Sequence, residues 1–91
     1  MDYLHKEFDL AEGDIVEVTL ADNAANILLL DADNFHNYQQ GKPYSYSGGY
    51  ARTSPFRIQA PRAGRWHLVV DLAGGAGRVQ ASSRVISSSL S

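Results

Sequence analysis

The side chains able to do chemistry in this 91-residue chain are few: three histidines, one close pair of aspartates, a glycine-rich stretch and a loop crowded with aromatic rings. A zinc site needs three or four ligands held by partners behind them. The chain has no His-x-His pair, and no acid is tied by spacing to His5, His36 or His67. The histidines therefore read as scattered surface groups, and no metal is expected. His5 and His67 share outward parities and meet only if their strands are neighbours. Asp31-Ala32-Asp33-Asn34 has the first two oxygens of a calcium loop, but residues 35–42 bring no further acid, so Asp31 and Asn34 read as turn caps. Gly74-Gly75-Ala76-Gly77 is followed by a strand-like segment rather than the helix a phosphate cradle requires, and so reads as a hairpin turn. No Gly-x-Ser-x-Gly elbow is present, and the absence of cysteine excludes thiolate ligands, thiol nucleophiles and disulfides. The expectation is a non-enzyme without a cofactor.

The loop from Phe35 to Tyr50 is the candidate binding segment. It holds Phe35, His36, Tyr38, Tyr44, Tyr46 and Tyr50 among glycines and serines, and four of the five tyrosines. Tyrosine joins a flat apolar body to a polar tip and is enriched at contact surfaces. The alternative is that these rings close one end of a small core.

The elements that would position these groups are short and alternating. Residues 3–10 put Leu4, Phe8 and Leu10 on one parity, and residues 15–20 do the same with Val16, Val18 and Leu20. Ala11-Glu12-Gly13-Asp14 is a turn with Gly13 at a positive φ, and Asp22-Asn23 marks the next. Asn26 to Asp31 is apolar throughout its middle, which predicts a strand covered on both faces. One helical turn is placed near residues 34–40, with Asn34 as N-cap and Gly41 as stop. No segment has the length and period of a full helix. Tyr44-Ser45-Tyr46 alternates and reads as part of an edge strand. Residues 53–60 return to strand, with Phe56 and Ile58 inward. Trp66, Leu68, Val70 and Leu72 share one face of residues 65–72, with Arg65, His67 and Asp71 on the other. Val79, Ala81 and Val85 mark a last strand of roughly nine residues. About seven strands with Gly, Pro and Asp turns predict an all-β, antiparallel two-sheet sandwich, jelly-roll-like, over residues 1–86, with a disordered serine-rich tail at 87–91. The first and last strands are placed side by side.

Charge is split along the chain. Nine of ten acidic residues lie at or before Asp33, and all six arginines follow Tyr50. One reading is ion pairing between the two halves of a single sandwich. The other is a dipolar surface on which copies meet, with Arg62, Arg65 and Arg78 at the interface. A net charge of −2 gives no bulk attraction to nucleic acid. The first eight residues lack the basic and apolar regions of a signal peptide, and the longest apolar run, Ile27 to Leu30, is far short of a membrane span. A cytoplasmic protein with no nucleic-acid or membrane partner is expected.

Several stretches resemble a known bacterial family. They are Tyr-Leu-His-Lys-Glu-Phe-Asp-Leu (3–10), Gly-Asp-Ile-Val-Glu-Val (13–18), Leu-Leu-Asp-Ala-Asp-Asn-Phe-His-Asn-Tyr (29–38) and Ser-Pro-Phe-Arg-Ile (54–58). The most specific is Pro-Arg-Ala-Gly-Arg-Trp-His-Leu-Val-Val-Asp-Leu (61–72). Together they resemble the domain of unknown function 1883 family over nearly the whole chain. In that family the domain occurs alone or ahead of a TIR signalling domain, which implies a sensing, docking or assembly role and no catalytic residues. A looser architectural likeness, Pro-x-x-Gly-x-Trp-x-Leu-x-Val, is to β-sandwich modules of secreted bacterial enzymes that often bind calcium or carbohydrate.

The expected function is thus a non-catalytic interaction, sensing or self-assembly module with a protein partner or a second copy. The alternative is a small-molecule or carbohydrate-binding sandwich that uses the aromatic loop 35–50.

Overall fold

Alternation of β-branched and polar residues makes the framework. In a computed structural model that describes residues 3–21, 24–71 and 80–87, the strands are β1 (Tyr3–Leu10), β2 (Ile15–Leu20), β3 (Ala25–Leu30), β4 (Ser47–Ala51), β5 (Phe56–Gln59), β6 (Gly64–Asp71) and β7 (Ala81–Ile86). One helix, α1 (Ala32–Gln40), lies between β3 and β4. The strands form a four-stranded sheet in the order β1-β6-β3-β4 and a three-stranded sheet in the order β5-β2-β7, with every pairing antiparallel. Every connection except β3 to β4 passes from one sheet to the other, the jelly-roll-like alternation expected. β1 pairs with β6 and β7 with β2, so the first and last strands lie in different sheets rather than side by side.

The inner faces meet in one core. Val16, Val18, Ile27, Leu29, Ile58, Trp66, Leu68 and Val70 are buried there, on the parities read from the sequence. Trp66 also satisfies its indole N–H on the Arg62 carbonyl at 3.0 Å, as a buried indole must.

The departure from a plain sandwich is α1. Asp31, with extended backbone, caps it: its carboxylate accepts the Asn34 N–H at 2.9 Å. Gly41 ends it at φ 73, and Lys42 donates back to the Asn37 carbonyl at 2.9 Å. The cap is therefore Asp31, not Asn34, and the element is a nine-residue helix rather than one turn. It lies across the outer face of the four-stranded sheet. Leu28, Leu30, Val69, Phe35 and Tyr38 form a second buried cluster there, which is why β3 is apolar on both parities and β6 carries Val69 on its otherwise polar outer face. The edge strand expected at Tyr44–Tyr46 instead begins at Ser47, and β7 has six residues. Leu72, Val79, the turns at 22–23 and 74–77 and the tail beyond Ser87 lie outside the described residues. Among the described residues no helix is long and apolar enough to cross a membrane.

The charge split resolves into pairs within the chain. Glu17 sits in register between Arg57 and Arg84 and takes Nε from each, at 2.8 and 2.7 Å. Arg65 lies opposite Asp9 and bridges Asp9 at 2.8 Å and Glu7 at 2.9 Å. Arg62 reaches Asp31 at 2.6 Å. The Arg84 and Arg57 hydrogen bonds hold the Glu17 carboxyl below its ordinary 4.5, and the Asn34 N–H, with Arg62, does the same for Asp31. The unfolded chain therefore binds protons more readily than the folded one in this range. The stabilisation is complete above the ordinary carboxylate values and is lost as pH falls through the folded ones. Urea midpoints measured from pH 7 downward should drop below about pH 4.5. Glu17→Gln should flatten that fall; an unchanged acid limb would remove Glu17 as its source.

Candidate functional site

The outer face of the four-stranded sheet gathers most of the chemistry. Along β1 and β6 the facing pairs are Tyr3–Asp71, His5–Val69, Glu7–His67 and Asp9–Arg65. A two-residue strand period puts all of these on one face, and α1 covers the half nearer Tyr3.

Two networks result. In the first, the Tyr38 hydroxyl donates to Asp71 Oδ2 at 2.6 Å, and Asn26 Nδ2 donates to Asp71 Oδ1 at 3.1 Å. Tyr3 packs edge-on to Tyr38 and Phe35, with ring centroids 5.4 and 6.4 Å apart, and its hydroxyl accepts from Gln39 at 3.1 Å. Burial, and then the bond to Asp71, push the Tyr38 phenol well above its ordinary value.

The second network is an imidazole pair. His5 Nε2 and His67 Nδ1 are 2.9 Å apart, the rings are within 10° of parallel, and their centroids are 5.2 Å apart. At that centroid spacing the rings lie end to end in one plane. One nitrogen donates and the other accepts, so the pair is held together when at least one ring is neutral. Phe35 stacks over both, with centroids 4.3 Å from His5 and 4.5 Å from His67. Glu7 Oε1 is 3.9 Å from His67 Nδ1, and Glu7 Oε2 is held by Arg65. Burial lowers the His67 pKa below 6.5 and His5 adds to that, against an opposing pull from Glu7.

The expectation of scattered histidines is overturned for His5 and His67, which the β1–β6 pairing brings together. Glu7 stands two residues from His5 on the same face, a spacing readable in the sequence as His-x-Glu. His36 is exposed on α1 and stands apart from the pair.

The aromatic segment divides in two. Phe35 and Tyr38 are core residues at 9% and 7% exposure. Tyr44, Tyr46 and Tyr50 are 38%, 49% and 57% exposed. Tyr44 bridges the groups, edge-on to Tyr38 at 5.3 Å and tilted against Tyr46 at 5.7 Å. Tyr46 also lines a cleft of about 120 Å³ with Asp31, Asn34, Arg62 and Trp66. In it the Arg62 guanidinium lies 4.8 Å over the Trp66 ring. Arg62 and Arg65 are committed to ion pairs inside the chain, and Arg78 lies outside the described residues.

Sandwich, covering helix and ring-roofed imidazole pair define a helix-capped β-sandwich domain. The chain belongs to the family described as Domain of unknown function (DUF1883), whose model matches residues 1–89. Comparison with curated proteins and with solved structures finds no match.

Proposed function

We propose that this domain is a non-catalytic self-assembly module whose contact surface is the outer edge of β4 with Tyr44, Tyr46 and Tyr50 beside it. The observation that carries the reading is the character of that edge. β4 ends the four-stranded sheet, and its outer backbone pairs with no strand among the described residues. From Pro43 to Ala51 the chain has no charged residue, and exposed Tyr44 and Tyr46 precede the strand while exposed Tyr50 stands on it. Sheet edges are normally blunted by charge, proline or a bulge, and an uncharged one pairs readily with another strand. A second copy is the occupant favoured here. The same uncharged strand serves both sides of a two-fold contact, and a net charge of −2 per copy repels little. The arginines play a smaller part than their number suggests, because Arg62 and Arg65 are already paired. The reading sets the module in the bacterial cytosol, in keeping with a chain free of cysteine.

Light scattering after size exclusion should give twice the chain mass at both low and high salt. Tyr50→Lys should return it to one chain mass while the chain still melts cooperatively, since Tyr50 is mostly exposed. A monomer at every concentration would refute self-assembly. Association that salt or Arg65→Ala abolishes would move the contact from the tyrosines to the arginines. The cleft beside Tyr46 and Trp66 supports the second reading, a small planar or sugar-like ligand, in the monomer case.

A further inference from the structure

We propose that His5, Glu7 and His67 form a binding site for a divalent transition-metal cation of the zinc class, independent of how the domain assembles. One ligand atom from each of the three lies within 4.8 Å of the others. Two imidazoles and one carboxylate on a rigid sheet are a donor set suited to zinc, iron, cobalt or nickel rather than calcium or magnesium.

The surroundings are those of a held site. The ligands sit on two hydrogen-bonded strands whose register sets Glu7 opposite His67, so their backbone positions are given by the fold. His67 is 9% exposed, with Val69 and Leu30 on the same face and Phe35 stacked above. An apolar wall of this kind limits competition from water. Arg65 takes Glu7 Oε2 and leaves Oε1 turned toward His67, the orienting contact expected behind a ligating carboxylate. Asp9 in turn holds Arg65 at 2.8 Å.

Binding requires a defined rearrangement of the three side chains. Two nitrogens on one tetrahedral zinc stand about 3.3 Å apart, given bonds of about 2.0–2.1 Å. Here they are 2.9 Å apart and point at each other, sharing a proton. The cation takes the place of that proton. Each ring turns about its Cβ–Cγ bond so that both lone pairs meet at one point on the solvent side, the Glu7 oxygen moves in by up to about 1.5 Å from a cluster spread of 4.8 Å, and the ring that gave up the shared proton takes one from solvent on its other nitrogen, so both ligands bind as neutral imidazoles. The fourth position is left to water. No redox step is involved.

The test uses the untagged chain. Calorimetric titration with Zn²⁺ should give one site per chain, and Co²⁺ should develop the visible absorption of a low-coordinate N/O site. His5→Ala is the decisive variant, because His5 is exposed and its loss leaves the core intact. It should weaken Zn²⁺ binding by about 10- to 100-fold or more, with Glu7→Gln weakening it by about tenfold. His36→Ala, outside the cluster, should bind as the parent does. A melt of each variant without metal separates lost ligands from lost fold. No Zn²⁺ uptake by the parent chain would overturn the site, as would undiminished uptake by the folded His5→Ala variant.

Discussion

Gly48→Ala is expected to lower the melting midpoint by about 15 °C or more. Gly48 has φ 126, where side chains are rarely tolerated. A Cβ there would fall 2.1 Å from the Ile27 carbonyl oxygen and 3.2 Å from Ile58 Cδ1. The first contact is with backbone in the neighbouring strand, which a rotamer change cannot relieve. Backbone strain alone costs on the order of 1–3 kcal/mol, and displacing β4 from β3 adds to it. The total of about 3 kcal/mol or more is a large part of the roughly 5–14 kcal/mol expected for 91 residues. Gly49→Ala is the control, since its Cβ would meet nothing within 4 Å. It should leave stability within about 1 kcal/mol of the parent. If thermal melts show equal losses for the two variants, close approach at Gly48 is not the cause.

Removal of Asp71 should be the second severe loss, about 2–5 kcal/mol in urea melts for Asp71→Ala. Asp71 is a buried carboxylate that accepts from Tyr38 on α1 and Asn26 on β3, and so ties helix to sheet. Without it a buried hydroxyl and amide lose their acceptor. Tyr38→Phe keeps the ring and loses one charge-assisted bond, for about 1.5–3 kcal/mol. The double variant should cost less than the sum, because both act on one interaction. The alkaline limb offers an independent check. The folded Tyr38 phenol keeps its proton where the unfolded chain, near 10.0, gives it up. Its stabilising share is therefore whole below pH 10 and is lost as pH rises beyond it. Tyr38→Phe should flatten that limb, leaving the share of Tyr44, whose phenol pKa is also raised by burial. A loss of less than about 1 kcal/mol in Asp71→Ala would show that α1 is held by its apolar face alone.

Strand parity carried most of the framework. Val16 and Val18 alternate cleanly with Glu17 and Thr19, and the bounds of β1 and β2 match those that alternation predicts. The double apolar parity of residues 26–31 foretold a covered outer face, although not by what. α1 was harder to read, because its buried face is only Phe35 and Tyr38 and the rest of its nine residues face solvent or the loop. So short an apolar stripe gives a weak helical period. The caps were the better signal: an aspartate three residues before Asn34, and Gly41 after the last turn. The imidazole pair was illegible for another reason. His5 and His67 are 62 residues apart and meet only because β1 lies beside β6, a strand order that side-chain alternation does not encode. The tyrosines could not be sorted into core and surface until α1 had set Tyr38 against Asp71 and left Tyr46 and Tyr50 outside.

The pairing of β1 with β6 also sets a schedule. A ribosome makes β1 first, and His67 follows His5 by 62 residues, or about 3–12 s at 5–20 residues per second. For that interval β1 has no strand to join in its own sheet, and its outer row of Tyr3, His5 and Glu7 has no floor. The four-stranded sheet closes from its β3–β4 side toward β1, with its N-terminal strand among the last pieces to lock. A nascent chain stalled before residue 64 would therefore carry β2, β3 and α1 but no imidazole pair.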